Sequence, residues 1–238
     1  SMLALIALTI VCILTYTFEI VFGLAGTVIL LTVLTWLYDA KTLVIYSAMP
    51  QILVASIGLL RSPRTVRLDV LAGMLVFAGI GGIAGLYLFY QFPLSLFQML
   101  LAATITLFGF YLVVSPNRFR LTPLLARSLD TLAGFSAALF GISGPVTLTR
   151  LMATFSDKTM VRNYALAFFL SLNLFRVGGY LLNGTFTQPI LEMMLVSGPF
   201  IAVALWHSNH LHFHVNEKVF RRVVAWVVLF GGLSLFFR

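Results

Sequence analysis

The chain has 238 residues, 61% of them hydrophobic and only 9% charged, with a net charge of +8. A soluble domain carries about 25% charged residues, so a water-soluble globule is excluded for want of polar surface. Continuous apolar runs without period-two alternation exclude an outer-membrane barrel, and basic residues placed in the loops between runs read as topology determinants rather than as a nucleic-acid footprint.

The first run, Met2–Phe22, has no basic leader and no small-residue cleavage site after it, so it is expected to be a retained segment rather than a signal peptide. It ends in Phe22-Gly23-Leu24-Ala25-Gly26-Thr27. A segment over Ala25–Tyr38 follows, only about 21 Å long as a helix and short of the roughly 30 Å hydrocarbon core. Spans are predicted over Thr42–Leu60, Leu68–Tyr90 and Leu94–Val114, separated by a basic loop with Arg61, Arg64 and Arg67 and by the uncharged turn Gln91-Phe92-Pro93. Ser115-Pro116-Asn117, flanked by Arg118, Arg120 and Arg127, divides the chain near its middle.

The second half repeats the plan. A run ending at Phe140 meets Phe140-Gly141-Ile142-Ser143-Gly144-Pro145, which lies 118 residues after the first break. The next piece, Pro145–Phe155, is about 16 Å long and cannot cross alone. Spans over Thr159–Leu182, Pro189–Trp206 and a last one ending near Phe237 complete the chain. Lys41-Thr42 matches Lys158-Thr159, and Leu107-Phe108-Gly109 matches Leu229-Phe230-Gly231. If each broken pair crosses once, the basic loops divide between two faces. If each is a hairpin, the regions 61–67, 115–127, 156–162 and 207–222 all fall on one face, as the positive-inside rule requires. Five pieces per half then invert the second half relative to the first. The fold class is therefore an all-α polytopic membrane protein of about eight transmembrane units in two inverted repeats, 1–114 and 115–238, each with a broken or hairpin-like first helix. The expected setting is the inner membrane, with basic loops cytoplasmic and both termini outside.

A helix that starts inside a membrane offers free N–H groups and a positive dipole end. Gly23, Gly26 and Thr27 at the first break, and Gly141, Ser143, Gly144, Pro145 and Thr147 at the second, are candidates for binding an anion. Asn173 and Arg176 lie one turn apart on the sixth span and share a face. A buried arginine there needs an anionic or carbonyl partner, unless it snorkels to the interface. Arg150 is similar and could reach the inner surface. Glu19, three residues before the first break, is a candidate for proton coupling or for pairing with an arginine. Gln51 and Ser56 are candidate cavity groups, and Glu192 is expected at the interface. His207, His210, His212 and His214 have a spacing open to a transition metal, but the interfacial reading is preferred and no metal site is assigned. Cys12 has no partner for a disulfide. No nucleotide loop, serine elbow or catalytic carboxylate pair occurs, so no enzyme and no cofactor is expected.

On Gly141-Ile142-Ser143-Gly144-Pro145, Asp157-Lys158, Arg162, and Leu172-Asn173-Leu174-Phe175-Arg176 with Tyr180 and Gly184, the chain resembles the sulfite exporter TauE/SafE family over nearly its whole length. Ser143 stands where the family tends to have glycine, and Val146 where a second proline is common. The resemblance implies a secondary transporter of small anions, above all sulfite, organosulfonates or related sulfur oxyanions. With the sequence alone, a passive anion channel, a carrier of small carboxylates and a non-transporting assembly component stay open. The expected partners are a small anionic substrate and the lipid bilayer, with room for a proton or other coupling ion and for a homodimer, and no nucleic acid.

Overall fold

The computed structural model describes residues 1–22, 26–62, 65–114, 120–208 and 217–238. These form ten helices and no strand among the described residues. In chain order they are α1 (Met2–Phe22), α2 (Gly26–Leu34), α3 (Ala40–Leu60), α4 (Leu68–Gln91), α5 (Leu94–Val114), α6 (Pro123–Phe140), α7 (Gly144–Thr154), α8 (Lys158–Leu182), α9 (Gln188–Ser208) and α10 (Glu217–Leu235). Six of them (α1, α3, α4, α5, α8 and α9) are long and apolar enough to cross a bilayer.

The polar turns that mark both halves act as helix starts. Asp39 caps α3 by accepting from the Thr42 backbone N–H at 2.9 Å and the Thr42 hydroxyl at 2.6 Å. Asp157 caps α8 by accepting from Thr159 N–H at 2.9 Å. Each carboxylate satisfies backbone donors that a helix start leaves free. The expected helix over Ala25–Tyr38 is shorter than read: α2 stops at Leu34. Leu37 and Tyr38 N–H both turn back to the Leu34 carbonyl, and Arg238 donates to the Thr32 carbonyl and the Thr35 hydroxyl at that helix end.

The chain reverses at both breaks. Tyr16 and Thr27, eleven residues apart, join hydroxyls at 2.7 Å, so α2 runs back along α1. Arg150 reaches Asp130 at 2.9 Å, so α7 runs back along α6. A single crossing through either break would hold these residues well apart along its axis. The reversals decide the arrangement of the loops. The Arg67 backbone N–H donates to the Tyr164 hydroxyl at 2.9 Å, Asn163 Nδ2 donates to the Thr65 hydroxyl at 2.9 Å, and the Arg61 guanidinium lies 3.8 Å from the Trp206 ring centre. Arg61, Thr65 and Arg67, the start of α8 and the end of α9 therefore share a face. On the opposite face Lys41 Nζ donates to the Phe89 and Phe92 carbonyls at 2.7 and 2.6 Å, and Tyr90 is hydrogen-bonded to Thr185.

The helices meet with almost no side chain between them where glycine allows it. A Cβ on Gly134 of α6 would fall 1.9 Å from the Ala78 carbonyl oxygen of α4, and one on Gly81 of α4 would fall 1.9 Å from that of Thr131. Such close approach is how helices gain packing energy where lipid removes the hydrophobic drive. With α4 and α6 fixed together, α8 packs on both and on α3, and the breaks come to lie beside the middle of α3. Pro50 sits inside α3 at that level, where its missing N–H loosens the ladder one residue before Gln51.

Candidate functional site

The site is built where the end of α6 and the start of α7 meet α3 and α8. Gly141 closes α6 with a left-handed backbone, φ +70°, and its N–H donates to the Ala137 carbonyl at 2.8 Å. Glycine suits this cap because it pays no Cβ penalty there. It is needed for space as well: a Cβ would lie 2.8 Å from Arg176 Nη1 and 2.9 Å from Ser47 Oγ. The chain then passes Ile142 and Ser143 and enters α7, with Pro145 in the first turn. Gly144 has open space where a side chain would be.

Arg176 is the central charge. It is fully buried, 0% exposed. Its Nη2 donates to the Val44 carbonyl at 2.7 Å and to Ser47 Oγ at 3.1 Å, both from α3. Nε and Nη1 have no partner. The guanidinium carbon lies 5.7 Å from the Tyr180 ring centre, within cation–π range. Arg67 pairs with Asp69, and both Arg127 and Arg150 pair with Asp130; among the described residues no carboxylate pairs with Arg176. The interfacial alternative for Arg176 is thus overturned: the side chain turns inward to α3 and is not exposed. A buried cation held only by a carbonyl, a hydroxyl and a ring face retains most of its desolvation cost.

Unpartnered polar atoms accompany it. Thr147 Oγ1 in the first turn of α7, Asn173 Oδ1 and the Tyr180 hydroxyl are buried without a hydrogen bond. Asn173, Arg176 and Tyr180 follow one another at helical spacing on one face of α8. Native proteins leave few such atoms, and those of Asn173, Arg176, Tyr180 and Thr147 lie on α8 or on the α7 turn packed against it. Ser143, also buried, makes no capping bond with its side chain.

The first break differs. Gly23 lies outside the described residues. Gly26 is buried at the start of α2, and the space above it is taken by the protein itself: a Cβ there would meet Glu19 Cβ at 3.0 Å and Glu19 Cδ at 3.1 Å. The Glu19 carboxylate faces the Gly26 N–H, so the chain's own carboxylate lies at this helix start. Thr27 is engaged twice, by Tyr16 at 2.7 Å and by Gln51 Nε2 at 2.6 Å. Gln51 Nε2 also donates to the Gly141 carbonyl at 2.8 Å. One carboxamide therefore joins the two breaks.

Of the candidates named from sequence, Gly141, Arg176 and Ser143 gather at the second break, with Thr147 and Asn173 on the elements that form it. Pro145 faces elsewhere. It helps line an apolar cavity of about 390 Å³ with Phe108 and Tyr111 of α5 and Leu125 and Leu129 of α6. Arg150 does not reach an inner surface. It is buried against Asp130, which also receives Arg127 at 3.4 Å. Ser56 is half-buried further along α3, and Glu192 is exposed. His210, His212 and His214 lie outside the described residues; among the described residues no cluster of metal-ligating side chains occurs. Sequence reasoning missed Ser47, whose only signal was its place one turn before Gln51, and Asp130, a carboxylate within an apolar run.

Comparison with curated proteins and with solved structures yields no match. The family model for the sulfite exporter TauE/SafE matches residues 8–235, which takes in both breaks, the Arg176 site and all ten helices in whole or in large part. The chain belongs to the TauE/SafE sulfite exporter family of membrane transporters.

Proposed function

We propose that this multi-pass membrane protein is a secondary transporter of small sulfur oxyanions, sulfite or organosulfonates, and that the anion binds at the second helix break against Arg176. The observation that carries this reading is the buried guanidinium of Arg176, which has two unpartnered nitrogens and no carboxylate. An anionic oxygen at Nε and Nη1 would supply the missing charge and the missing acceptors together. The α7 N-terminus and the Thr147 and Ser143 hydroxyls add donors of the same polarity.

Alternating access between two inverted repeats fits the packing. When the first five helices are exchanged with the last five, the contact of α1 with α9 becomes that of α6 with α4, and the contacts α3 with α8 and α5 with α10 map onto themselves. This is the pattern expected of two halves related by a two-fold axis. The basic face that holds Arg61, Arg67 and the start of α8 is assigned to the cytoplasm by the positive-inside rule. Glu19 is the coupling candidate, because it is the carboxylate nearest the joined breaks on the α1 side.

A thermal-shift screen of the purified protein against sulfite, sulfate, taurine and small carboxylates tests the binding site. Sulfite or a sulfonate should raise the melting temperature of the wild type and leave Arg176→Gln unmoved. An equal shift in both proteins would remove the anion from Arg176.

A further inference from the structure

The polar atoms of the site include one of the wrong sign for a bare anion. Asn173 is buried, 2% exposed. Its Nδ2 donates to the Phe169 carbonyl one turn back on α8 at 2.8 Å. Exchanging the amide oxygen and nitrogen would set two acceptor oxygens against each other at that distance, so the Phe169 carbonyl fixes the amide. What remains free is Oδ1, an acceptor without a donor. It stands one turn from Arg176, whose Nε and Nη1 are donors without acceptors.

We infer that the site selects a monoanion carrying its own hydrogen-bond donor, such as hydrogensulfite, with Asn173 Oδ1 accepting that donor while Arg176 takes the anionic oxygens. The inference rests on the anion site proposed above and specifies the ligand it takes. An oxyanion with no hydrogen, such as sulfate or the sulfite dianion, would leave Oδ1 unpaired and would bring a second oxygen lone pair toward it. A buried acceptor left without its donor is costly, and a site built to hydrogen-bond a ligand O–H or N–H discriminates sharply against the analogue that lacks it. The single positive charge of Arg176 is also matched by a single negative charge, so a monoanion leaves the buried site neutral.

Two nearly isosteric anions separate donor from charge. Sulfamate presents an NH₂ group beside its sulfonate oxygens; methanesulfonate presents a methyl group in the same place. Both are fully ionised monoanions near neutral pH. Titration calorimetry on the full-length protein in detergent should give sulfamate about tenfold tighter binding than methanesulfonate, or more. In Asn173→Leu the preference should fall to about twofold or less, through weaker sulfamate binding, with Arg176 still required. Equal affinities in the wild type would overturn the inference, as would an unchanged preference in Asn173→Leu. The wild-type comparison decides on its own if that variant does not fold. Failure of both anions to bind the wild type, or binding untouched by Arg176→Gln, would instead remove the anion site itself and this inference with it.

Discussion

The Gln51 side chain donates to the Gly141 carbonyl across 2.8 Å, from the middle of α3 to the cap that ends α6. The same nitrogen donates to Thr27 Oγ1 at 2.6 Å. The first and second breaks are therefore tied through one group on a third helix. Any motion of the second half against the first has to stretch or exchange the bond to Gly141, while the bond to Thr27 stays within the first half. Gln51→Leu removes both and keeps the volume nearly constant. The expected cost is about 1–2 kcal/mol of stability, with a change in transport turnover larger than the change in anion affinity. Measuring uptake rate and binding on the same preparation checks this; turnover equal to wild type would mean that the tie plays no part in the cycle.

Gly141 and Gly184 both have positive φ, +70° and +60°, but only Gly141 is crowded. Alanine at either position pays a backbone cost of about 1–2 kcal/mol. At Gly141 the added methyl also meets Arg176 Nη1 and Ser47 Oγ, whereas at Gly184 it meets nothing within 4 Å. Gly141→Ala should therefore lose anion binding, while Gly184→Ala should bind normally after a comparable backbone penalty. A pair of melting curves with and without sulfite reads the difference.

Asp130 is 1% exposed and holds Arg150 at 2.9 Å and Arg127 at 3.4 Å. This pair ties α7 to α6 below the break. Asp130→Asn leaves the Arg150 charge buried without its partner, at a cost of about 3–5 kcal/mol. The double replacement Asp130→Leu with Arg150→Met should recover most of that loss, because it removes both charges. Denaturation midpoints of the single and double variants test the ion pair. If the single variant matches wild type, α7 is not held by this contact.

Much of the fold was legible in the sequence because bilayer thickness and loop charge are strong constraints. The two breaks, the fold-back of α2 on α1 and of α7 on α6, and the nearness of Arg61 and Arg67 to the start of α8 and the end of α9 follow from segment length and arginine placement. The site was legible in part. Gly141, Asn173 and Arg176 stand out as small, polar or charged groups in apolar runs. Asp130 does too, yet its partner Arg150 lies across the break, and residues 20 apart become neighbours only once α7 folds back on α6. Gln51 was only one polar group among several on its span, because the bonds that distinguish it go to residues 24 and 90 positions away. The difference between the two breaks was hidden as well: Glu19 occupies the start of α2, while the residue 118 positions later, Ala137, leaves the start of α7 without such a group.

Two buried tyrosines should respond oppositely to loss of the hydroxyl. The Tyr46 hydroxyl bonds Ser197 Oγ at 2.6 Å and Cys12 Sγ at 3.4 Å. That of Tyr180 has no partner. Tyr46→Phe should cost about 1 kcal/mol or more by leaving Ser197 short of a partner, whereas Tyr180→Phe should leave the ligand-free protein as stable or more so. If Tyr180 also reaches the anion, its variant will lose part of the thermal shift that sulfite produces while its ligand-free melting temperature stays the same or rises. A drop in the ligand-free melting temperature of Tyr180→Phe as large as that of Tyr46→Phe would show that its hydroxyl is bonded within the protein.

Counterflow tests carrier transport of an anion through the Arg176 site most directly. Liposomes containing the protein and loaded with unlabelled sulfite are diluted into a trace of labelled sulfite. A carrier working at this site should accumulate the label transiently above equilibrium, and Arg176→Gln, reconstituted to the same level, should not. Label that only equilibrates in the wild type, or accumulation undiminished in Arg176→Gln, would contradict it.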